Sequence, residues 1–145
     1  MFCILYTYMD TTIFKAYDIR GIYPQSMNED VAKAVAKACV YIFDEGEVIV
    51  ARDIRHGSTE LSVAVAETIK KYANEVGKKI TVRDVGISST PMFYFLVNKF
   101  KASGGCMITA SHNPKNYNGM KVVTKGAEMI PGTELLAQIT KLNIQ

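Results

Sequence analysis

The chain has 145 residues, of which 48% are hydrophobic and 21% are charged. This length suits one domain with a core of useful size, and the composition is that of an ordinary globular protein. The net charge of +3 fits a small anionic ligand, but no cluster of Lys and Arg indicates nucleic acid as a partner. Three widely spaced cysteines (Cys3, Cys39 and Cys106) without a CxxC pair argue against zinc or a disulfide framework and favour the reducing cytoplasm.

The first nine residues are apolar but form only a short run, which ends at Asp10. They lack the basic start of a secretory signal peptide, so we do not interpret them as one. No apolar run in the sequence approaches the ~18 residues that a membrane-spanning helix needs. The sequence therefore gives no indication of a membrane partner.

The first half of the chain alternates strands with helices. Asn28 is a suitable N-cap, because acidic residues follow it in the first turn and apolar residues then recur at helical spacing. Either Ser58 or Thr59 caps the second helix. In chain order, the predicted elements are a short strand and loop at residues 15–24, a helix from Asn28 that Gly46 ends, a continuous apolar strand at residues 48–51, a loop at residues 52–57, and a helix that Gly77 ends.

The second half continues the same alternation. Ser89 or Thr90 caps a third helix with Pro91 at its first position, where the missing amide hydrogen costs nothing. In chain order, the predicted elements are a strand at residues 80–86, this helix, a strand at residues 105–109, a short edge strand at residues 121–124, and a last helix at residues 131–141.

This alternation predicts an α/β fold, a three-layer α/β/α sandwich with a mixed, mostly parallel sheet. In such sheets, ligands bind beyond the carboxyl ends of the strands. The loops at residues 52–57, 87–90 and 110–119 all follow predicted strands at such ends. We therefore expect any functional site to lie at this edge of the sheet.

The segment TASHNP at residues 109–114 follows an apolar run and is followed by NGMK at residues 118–121. A free serine hydroxyl is a poor nucleophile, so Ser111 needs activation or a phosphoryl group already attached. A phosphoserine carries about −1.5 to −2 charges and needs cations nearby. Gly119 would permit a turn that lets Lys121 face Ser111. The alternative is an ordinary solvated loop serine.

The residues that could supply those cations and donors are His112, Lys115, Lys121 and, from another loop, Arg20. His112 could act as an acid/base, as an anion donor or in loop packing, but the sequence has no G-x-S-x-G elbow of a serine hydrolase. Arg20 could bind phosphate through its planar guanidinium, or it could pair with Asp18.

The RDxR segment at residues 52–55 has a mainly structural interpretation. Asp53 can accept hydrogen bonds from loop amides and can pair with Arg52. His56 is interpreted as a surface or capping residue. The sequence contains neither a P-loop nor paired carboxylates, so the chain is not expected to form a Mg²⁺ cage by itself.

Three segments, in this order, resemble the α-D-phosphohexomutase family of phosphomannomutases and phosphoglucomutases. The TASHNP–NYNGMK segment is highly specific and is similar to the bacterial or archaeal branch. The three segments are FKAYDIRG at residues 14–21, ARDxR at residues 51–55, and GGxMITASHNP at residues 104–114 with residues 117–121.

The resemblance implies that Ser111 carries a phosphoryl group and passes it between hexose 1-phosphate and hexose 6-phosphate through a bisphosphate intermediate. It implies Mg²⁺ against the Ser111 phosphoryl group and glucose 1,6-bisphosphate as an activator. Lys121 and Arg20 would stabilise the transferring charge, since positioning and electrostatics dominate phosphoryl transfer. His112 would be a donor or acid/base, and Tyr17 would line the substrate pocket together with Arg20.

Family members have four domains, and the resemblance covers only the first. Residues 1–145 are therefore expected to be domain I, without the metal-, sugar- and phosphate-binding loops of the other domains. The implied partners are hexose phosphates and those remaining domains, and the isolated chain is expected to be almost inactive. An exposed apolar surface is also expected. The alternative is a non-catalytic module that binds sugar phosphates or other anions.

Overall fold

The computed structural model describes residues 9–144, so the interpretations of the first eight residues, including Cys3, lie outside the described part of the chain. The helices are α1 (Glu29–Ile42), α2 (Ser58–Glu75), α3 (Thr90–Lys99) and α4 (Gly132–Lys141), with short 3-10 turns at Thr11–Ile13 and Lys125–Ala127. The strands are β1 (Ile19–Ile22), β2 (Gly46–Arg52), β3 (Ile80–Ile87), β4 (Gly104–Ile108), β5 (Tyr117–Thr124) and β6 (Met129–Ile130).

These six strands form one mixed sheet in the order β1-β5-β4-β2-β3, and β6 also pairs with β5. Strand β2 runs parallel to β3 and β4, whereas β5 is antiparallel to β1, β4 and β6. Five strands therefore share one direction and β5 alone opposes them. This confirms the predicted mixed, mostly parallel sheet.

The prediction of a short edge strand at residues 121–124 is wrong. Strand β5 begins at Tyr117 and lies between β1 and β4. Gly119 is inside this strand and does not form the predicted turn. A Cβ at this position would collide with the carbonyl oxygen of Ile19 on β1, so glycine permits the close approach of the two backbones.

Helices cover both faces of the sheet, which confirms the three-layer arrangement. Helices α1, α2 and α4 pack on one face around a large core that includes Val48 and Val50. Helix α3 covers the other face, where Phe93 and Val97 pack against Ile49 and the neighbouring strands. The predicted strand at residues 48–51 is buried throughout because its alternate side chains enter the two cores.

The helix ends agree with the predictions in part. The Asn28 side chain accepts the Val31 amide at 3.0 Å, which confirms it as the cap of α1. That helix ends at Ile42, before the Gly46 expected to end it, because Phe43 leaves helical geometry. Ser89 caps α3 through the Met92 amide, and Pro91 is therefore its second residue.

The predicted cap of α2 is wrong. Gly57 precedes this helix, with a φ of 84°, and makes no side-chain capping bond. Ser58 is the first helical residue, and its hydroxyl instead donates to the Asp53 carboxylate at 2.6 Å. The serine thus connects the helix to the preceding loop.

The parallel strands β2, β3 and β4 end at the same edge of the sheet, at Arg52, Ile87 and Ile108. The loop after β2 is bonded directly to the end of β4, since the Asp53 amide donates to the Ile108 carbonyl at 2.9 Å. This edge also carries the expected exposed apolar side chains, with Ile54 81% exposed and Ile87 62% exposed. Among the described residues, none of the helices combines the length and apolar character required to cross a membrane.

Candidate active site

The loop after β4 presents Ser111 at its tip. Ser111 has a φ of 56°, a left-handed conformation that is costly for a residue other than glycine. Its amide donates to the Thr109 hydroxyl at 3.0 Å, and the Asn113 amide returns to the Ala110 carbonyl at 3.1 Å. Ser111 is half-buried and His112 is exposed. The tight turn thus places Ser111 in the loop just beyond the end of β4.

We call residues 109–117, which run from the end of β4 to the first residue of β5, the serine loop. Arg55, from the loop after β2, binds four backbone carbonyls of this segment. Its Nη2 donates to the carbonyls of Ser111 at 2.8 Å and Asn113 at 2.7 Å. Its Nη1 donates to the carbonyls of Pro114 at 2.7 Å and Tyr117 at 3.2 Å. We call Arg55 with these four carbonyls the carbonyl clamp. Our sequence analysis missed this role, for which the only available signal is an arginine close after the carboxyl end of a strand.

Asp53 holds the base of the carbonyl clamp. One carboxylate oxygen accepts the Arg55 amide at 2.9 Å, which confirms the predicted bond to a loop amide, and the other lies 3.4 Å from Arg55 Nε. The predicted partner Arg52 is wrong: its guanidinium donates to the backbone carbonyl of Asp53 at 3.4 Å. Spacing favours Arg55 because the chain turns between residues 53 and 55.

Asn118 links the same loop to β5. Its side chain is fully buried and donates to the Ser58 hydroxyl at 2.9 Å and to the His56 carbonyl at 3.0 Å. Its oxygen accepts the Gly119 amide at 2.8 Å. The exposed His56 ring packs edge-on against Tyr23 with centroids 5.2 Å apart, in keeping with its interpretation as a surface residue. The hydrogen bond to Glu29 and burial raise the pKa of Tyr23 to about 12.

A second group of charges surrounds Asp18, which is only 2% exposed. Its carboxylate accepts from Arg20 Nε at 2.8 and 2.9 Å and from Lys121 Nζ at 2.8 Å. We call these three residues the cation cluster. Two cations against one carboxylate leave a net charge of +1, which favours an anion nearby.

Arg20 pairs with Asp18, as one of our two interpretations of this arginine predicted. It does so only through Nε. In the part of the chain that the structure describes, the terminal Arg20 nitrogens make no hydrogen bond, and the side chain is 31% exposed. Pairing with Asp18 therefore orients the guanidinium and leaves its outer edge available for an oxyanion. The Lys121 ammonium lies against Asp18, and its action on Ser111 stays a prediction.

A cavity of about 550 Å³ brings several predicted residues together. Its lining includes Tyr17, Asp18 and Arg20, together with Asn113 and Tyr117 of the serine loop. Its volume is in the range of small-molecule sites. Ser111 and His112 are not lining residues, but their loop forms one wall. Tyr17 lines this cavity and is 67% exposed, and its contact with a substrate stays a prediction.

Helix α4 supports the turn that carries Tyr17 and Asp18. The Lys15 amide donates to the Asp18 carbonyl at 2.7 Å, and the Thr133 amide donates to the Lys15 carbonyl at 3.2 Å. A Cβ on Gly132 would collide with the Asp18 carbonyl oxygen, so the first residue of α4 presses directly on this turn. The last helix thereby fixes the position of the cation cluster.

No group of three or more His, Cys, Asp or Glu residues within residues 9–144 is arranged to hold a metal ion. The buried Asp18 carboxylate, which lines the cavity, is already paired with two cations. The site offers a serine oxygen, positive charge and a cavity.

Comparison with known proteins points to one family. The family model described as phosphoglucomutase/phosphomannomutase, alpha/beta/alpha domain I, matches residues 11–143. A phosphomannomutase from Klebsiella pneumoniae is 39% identical over 131 residues, which are 90% of this chain and 80% of that protein. A protein named phosphohexose mutases from Xanthomonas campestris is 40% identical over 122 residues, 84% of this chain and 26% of the relative.

A solved structure shows the same fold. The phosphoglucomutase/phosphomannomutase family protein from Burkholderia thailandensis superposes with a TM-score of 0.78 and 32% identity, over 94% of this chain and 31% of that chain. The chain thus spans about a quarter to a third of the Xanthomonas and Burkholderia proteins. With the family model matching nearly all of its length, the chain belongs to the phosphoglucomutase/phosphomannomutase family, in the region of its α/β/α domain I.

Proposed function

We propose that this chain is the phosphocarrier domain of a phosphohexomutase that interconverts hexose 1-phosphate and hexose 6-phosphate, with mannose or glucose as the sugar. The observation that carries the proposal is the pairing of two walls around one cavity. One wall is the loop that presents Ser111, and the other holds the outer edge of Arg20. The loop that would carry the phosphoryl group and a cation for its charge thus border a common cavity, while Ser111 itself lies outside the lining.

In the proposed reaction, a hydroxyl oxygen of the sugar phosphate attacks the phosphorus on Ser111, and the bond from phosphorus to Ser111 Oγ breaks. The sugar hydroxyl loses its proton and Oγ recovers one, with His112 as the proposed donor or acid/base. The bisphosphate then returns its other phosphoryl group to Ser111. Arg20 and Lys121 stabilise the charge that spreads over the phosphoryl oxygens during both transfers.

The remaining ligands for Mg²⁺, and the groups that read the sugar, are proposed to lie in the parts of the relatives that this chain does not match. When bound, Mg²⁺ would neutralise phosphoryl charge, with the Ser111 phosphoryl group as one ligand. The exposed Ile54 and Ile87 support a contact between this edge and those other domains. The isolated chain is expected to turn over almost no substrate.

We also propose that the protein works in the cytoplasm. Cys39 and Cys106 are free thiols, and both are buried. The neighbouring Cys106 thiol and burial raise the pKa of Cys39 well above its ordinary value, which keeps that thiol protonated and inert. Structural thiols of this kind suit a reducing compartment.

The direct test is intact mass with phosphosite mapping after incubation with glucose 1,6-bisphosphate and Mg²⁺. We expect one added phosphate on Ser111, none in Ser111→Ala, and normal labelling in Ser88→Ala, which changes the serine that follows β3. A full-length relative treated in parallel is the positive control. Labelling elsewhere than Ser111 would contradict the proposal.

The net positive cation cluster beside the cavity supports a second candidate, a module that binds sugar phosphates without chemistry. Titration of the chain with glucose 6-phosphate and with glucose separates the two. Binding of the phosphate that Arg20→Ala removes, without any labelling of Ser111, would favour this module over the carrier. Absence of both binding and labelling would contradict both candidates.

A further inference from the structure

We propose that Arg55 is a positioning residue for Ser111. It holds the serine loop in a strained backbone conformation from which the hydroxyl is presented. The first part of this inference concerns the loop alone. Its last step, an effect on phosphoryl transfer, rests on the proposed function.

The guanidinium of Arg55 forms four hydrogen bonds inside the protein, and its fifth donor faces a carboxylate. An arginine has five N–H groups. Four of them point at the carbonyls of the carbonyl clamp, and Nε faces the Asp53 carboxylate at 3.4 Å. No donor remains for a phosphate, so Arg55 acts on the loop. A lysine could not replace it, because one ammonium carries three donors at a single point.

The strained residue is held on both sides. Ser111 keeps a φ of 56°, and its amide is bound by Thr109 while its carbonyl is bound by Arg55 Nη2. Relaxation to a negative φ would turn these groups away from their partners. The Arg55 bond thus opposes the change that would remove the strain.

The clamp itself is fixed to rigid elements. Asp53 binds the Arg55 amide and also accepts the Ser58 hydroxyl at the start of α2. The buried Asn118 ties that hydroxyl to β5. The Arg55 side chain is 17% exposed, so little water competes for its bonds. The strained conformation of Ser111 is therefore held in place by hydrogen bonds that reach α2 and β5.

The order of the serine loop affects the rate of phosphoryl transfer at Ser111. Transfer to or from Ser111 needs its oxygen in line with the phosphorus and the other oxygen. A loop that samples several conformations holds the oxygen in line for only part of the time, and small displacements of reacting atoms reduce rates strongly. Loss of Arg55 should therefore lower the transfer rate more than the affinity for the phosphate donor.

The first experiment compares Arg55→Lys with Arg83→Lys, a matched change at an exposed arginine that pairs with Glu47 on the sheet. Amide hydrogen exchange by NMR is read at Asn113 and Tyr117, whose amides close turns of the serine loop. In Arg55→Lys we expect exchange at both amides to rise by about tenfold or more, with the β2 amides unchanged. The backbone shifts and coupling of Ser111 should lose their left-handed signature. Arg83→Lys should change none of these signals.

The second experiment is a rescue that depends only on backbone strain. Ser111→Gly and Ser111→Ala both remove the hydroxyl, but only glycine adopts a φ of 56° freely. In the Arg55→Lys background, we expect Ser111→Gly to restore exchange protection and Ser111→Ala to leave the loop open. If Arg55→Lys unfolds the chain, the glycine variant should restore folding and the alanine variant should not. Equal effects of Gly and Ala, or unchanged protection in Arg55→Lys, would overturn the inference.

The effect of Arg55 on phosphoryl transfer is measured as the initial rate of Ser111 phosphorylation by glucose 1,6-bisphosphate. In Arg55→Lys we expect the rate at saturation to fall by about tenfold or more with a similar half-saturating concentration. If the unaltered chain is never phosphorylated, the proposed function fails for this chain while exchange and rescue still decide the role of Arg55. A normal rate in Arg55→Lys with a disordered loop would overturn the link to transfer.

Discussion

The carbonyl clamp and the cation cluster hold neighbouring walls of one cavity by different means. The clamp uses one cation against four backbone carbonyls, so its bonds do not depend on which side chains the loop carries. The cluster uses two cations against one buried carboxylate, so each member depends on the others. The carbonyl clamp fixes the conformation of a loop, and the cation cluster fixes the positions of charged side chains.

This difference predicts different responses to change. A backbone clamp controls local order, so its loss should open one loop and leave the sheet intact. A buried ion cluster controls global stability, since removing one partner leaves uncompensated charge.

The largest effect is expected for Asp18→Ala. The change leaves Lys121, whose side chain is 12% exposed, without its carboxylate partner. We expect the free energy of unfolding to fall by about 3–5 kcal/mol. Urea denaturation measures it. The control is Asp30→Ala, which breaks the exposed pair with Lys33 and should cost less than about 1 kcal/mol. Similar losses in the two variants would contradict the contrast.

Gly119→Ala should have the next largest effect, because it forces β1 away from β5. A Cβ at this position meets the backbone of Ile19, which cannot move as a flexible side chain would. We expect a loss of about 1–3 kcal/mol by urea denaturation, from overpacking. Gly86→Ala is the comparison: Gly86 has a φ of 69° but open space around it, so it isolates the backbone strain alone. A smaller loss at Gly119 than at Gly86 would contradict the steric argument.

Asn118→Ala tests the connection between the clamp and β5. The variant leaves the Gly119 amide and the Ser58 hydroxyl each without one partner, in a buried position. We expect a loss of about 1–2 kcal/mol, which is the penalty for buried unsatisfied groups. Thermal unfolding measures the loss, and exchange at the Tyr117 amide should rise with it. Normal exchange there would show that Asn118 does not support the serine loop.

The sequence predicted best those features that local patterns determine. The capping Asn28 and the doubly buried strand at residues 48–51 follow from periodicity and from side-chain chemistry. The serine loop was found from its residue pattern. Strand β5 was shortened in our prediction because Asn118 and Gly119 look like a turn. Their roles depend on β1 and α2, which are distant in sequence.

The carbonyl clamp could not be predicted for a related reason. Its four acceptors are backbone carbonyls, which every residue possesses, so no residue type in the serine loop points to Arg55. Asp18 was considered as a partner of Arg20, but its second bond to Lys121 joins residues 103 positions apart. Only the antiparallel pairing of β1 with β5 brings them together.

The smallest predicted effect concerns Tyr23. This residue lies beside the carbonyl clamp, and its backbone amide donates to the Asn116 carbonyl. The hydrogen bond to Glu29 and burial raise the pKa of Tyr23 from 10.0 to about 12, which is above the value expected in the unfolded chain. The stabilisation is therefore fully present below pH 10.0 and is lost as the pH rises through about 12. Phenolate absorbance titrates Tyr23 directly, with Tyr23→Phe as the blank. In Glu29→Gln the pKa should move back toward 10.0, because the carboxylate that resists ionisation is gone. An unchanged pKa would show that burial alone, and not the Glu29 bond, holds the Tyr23 proton.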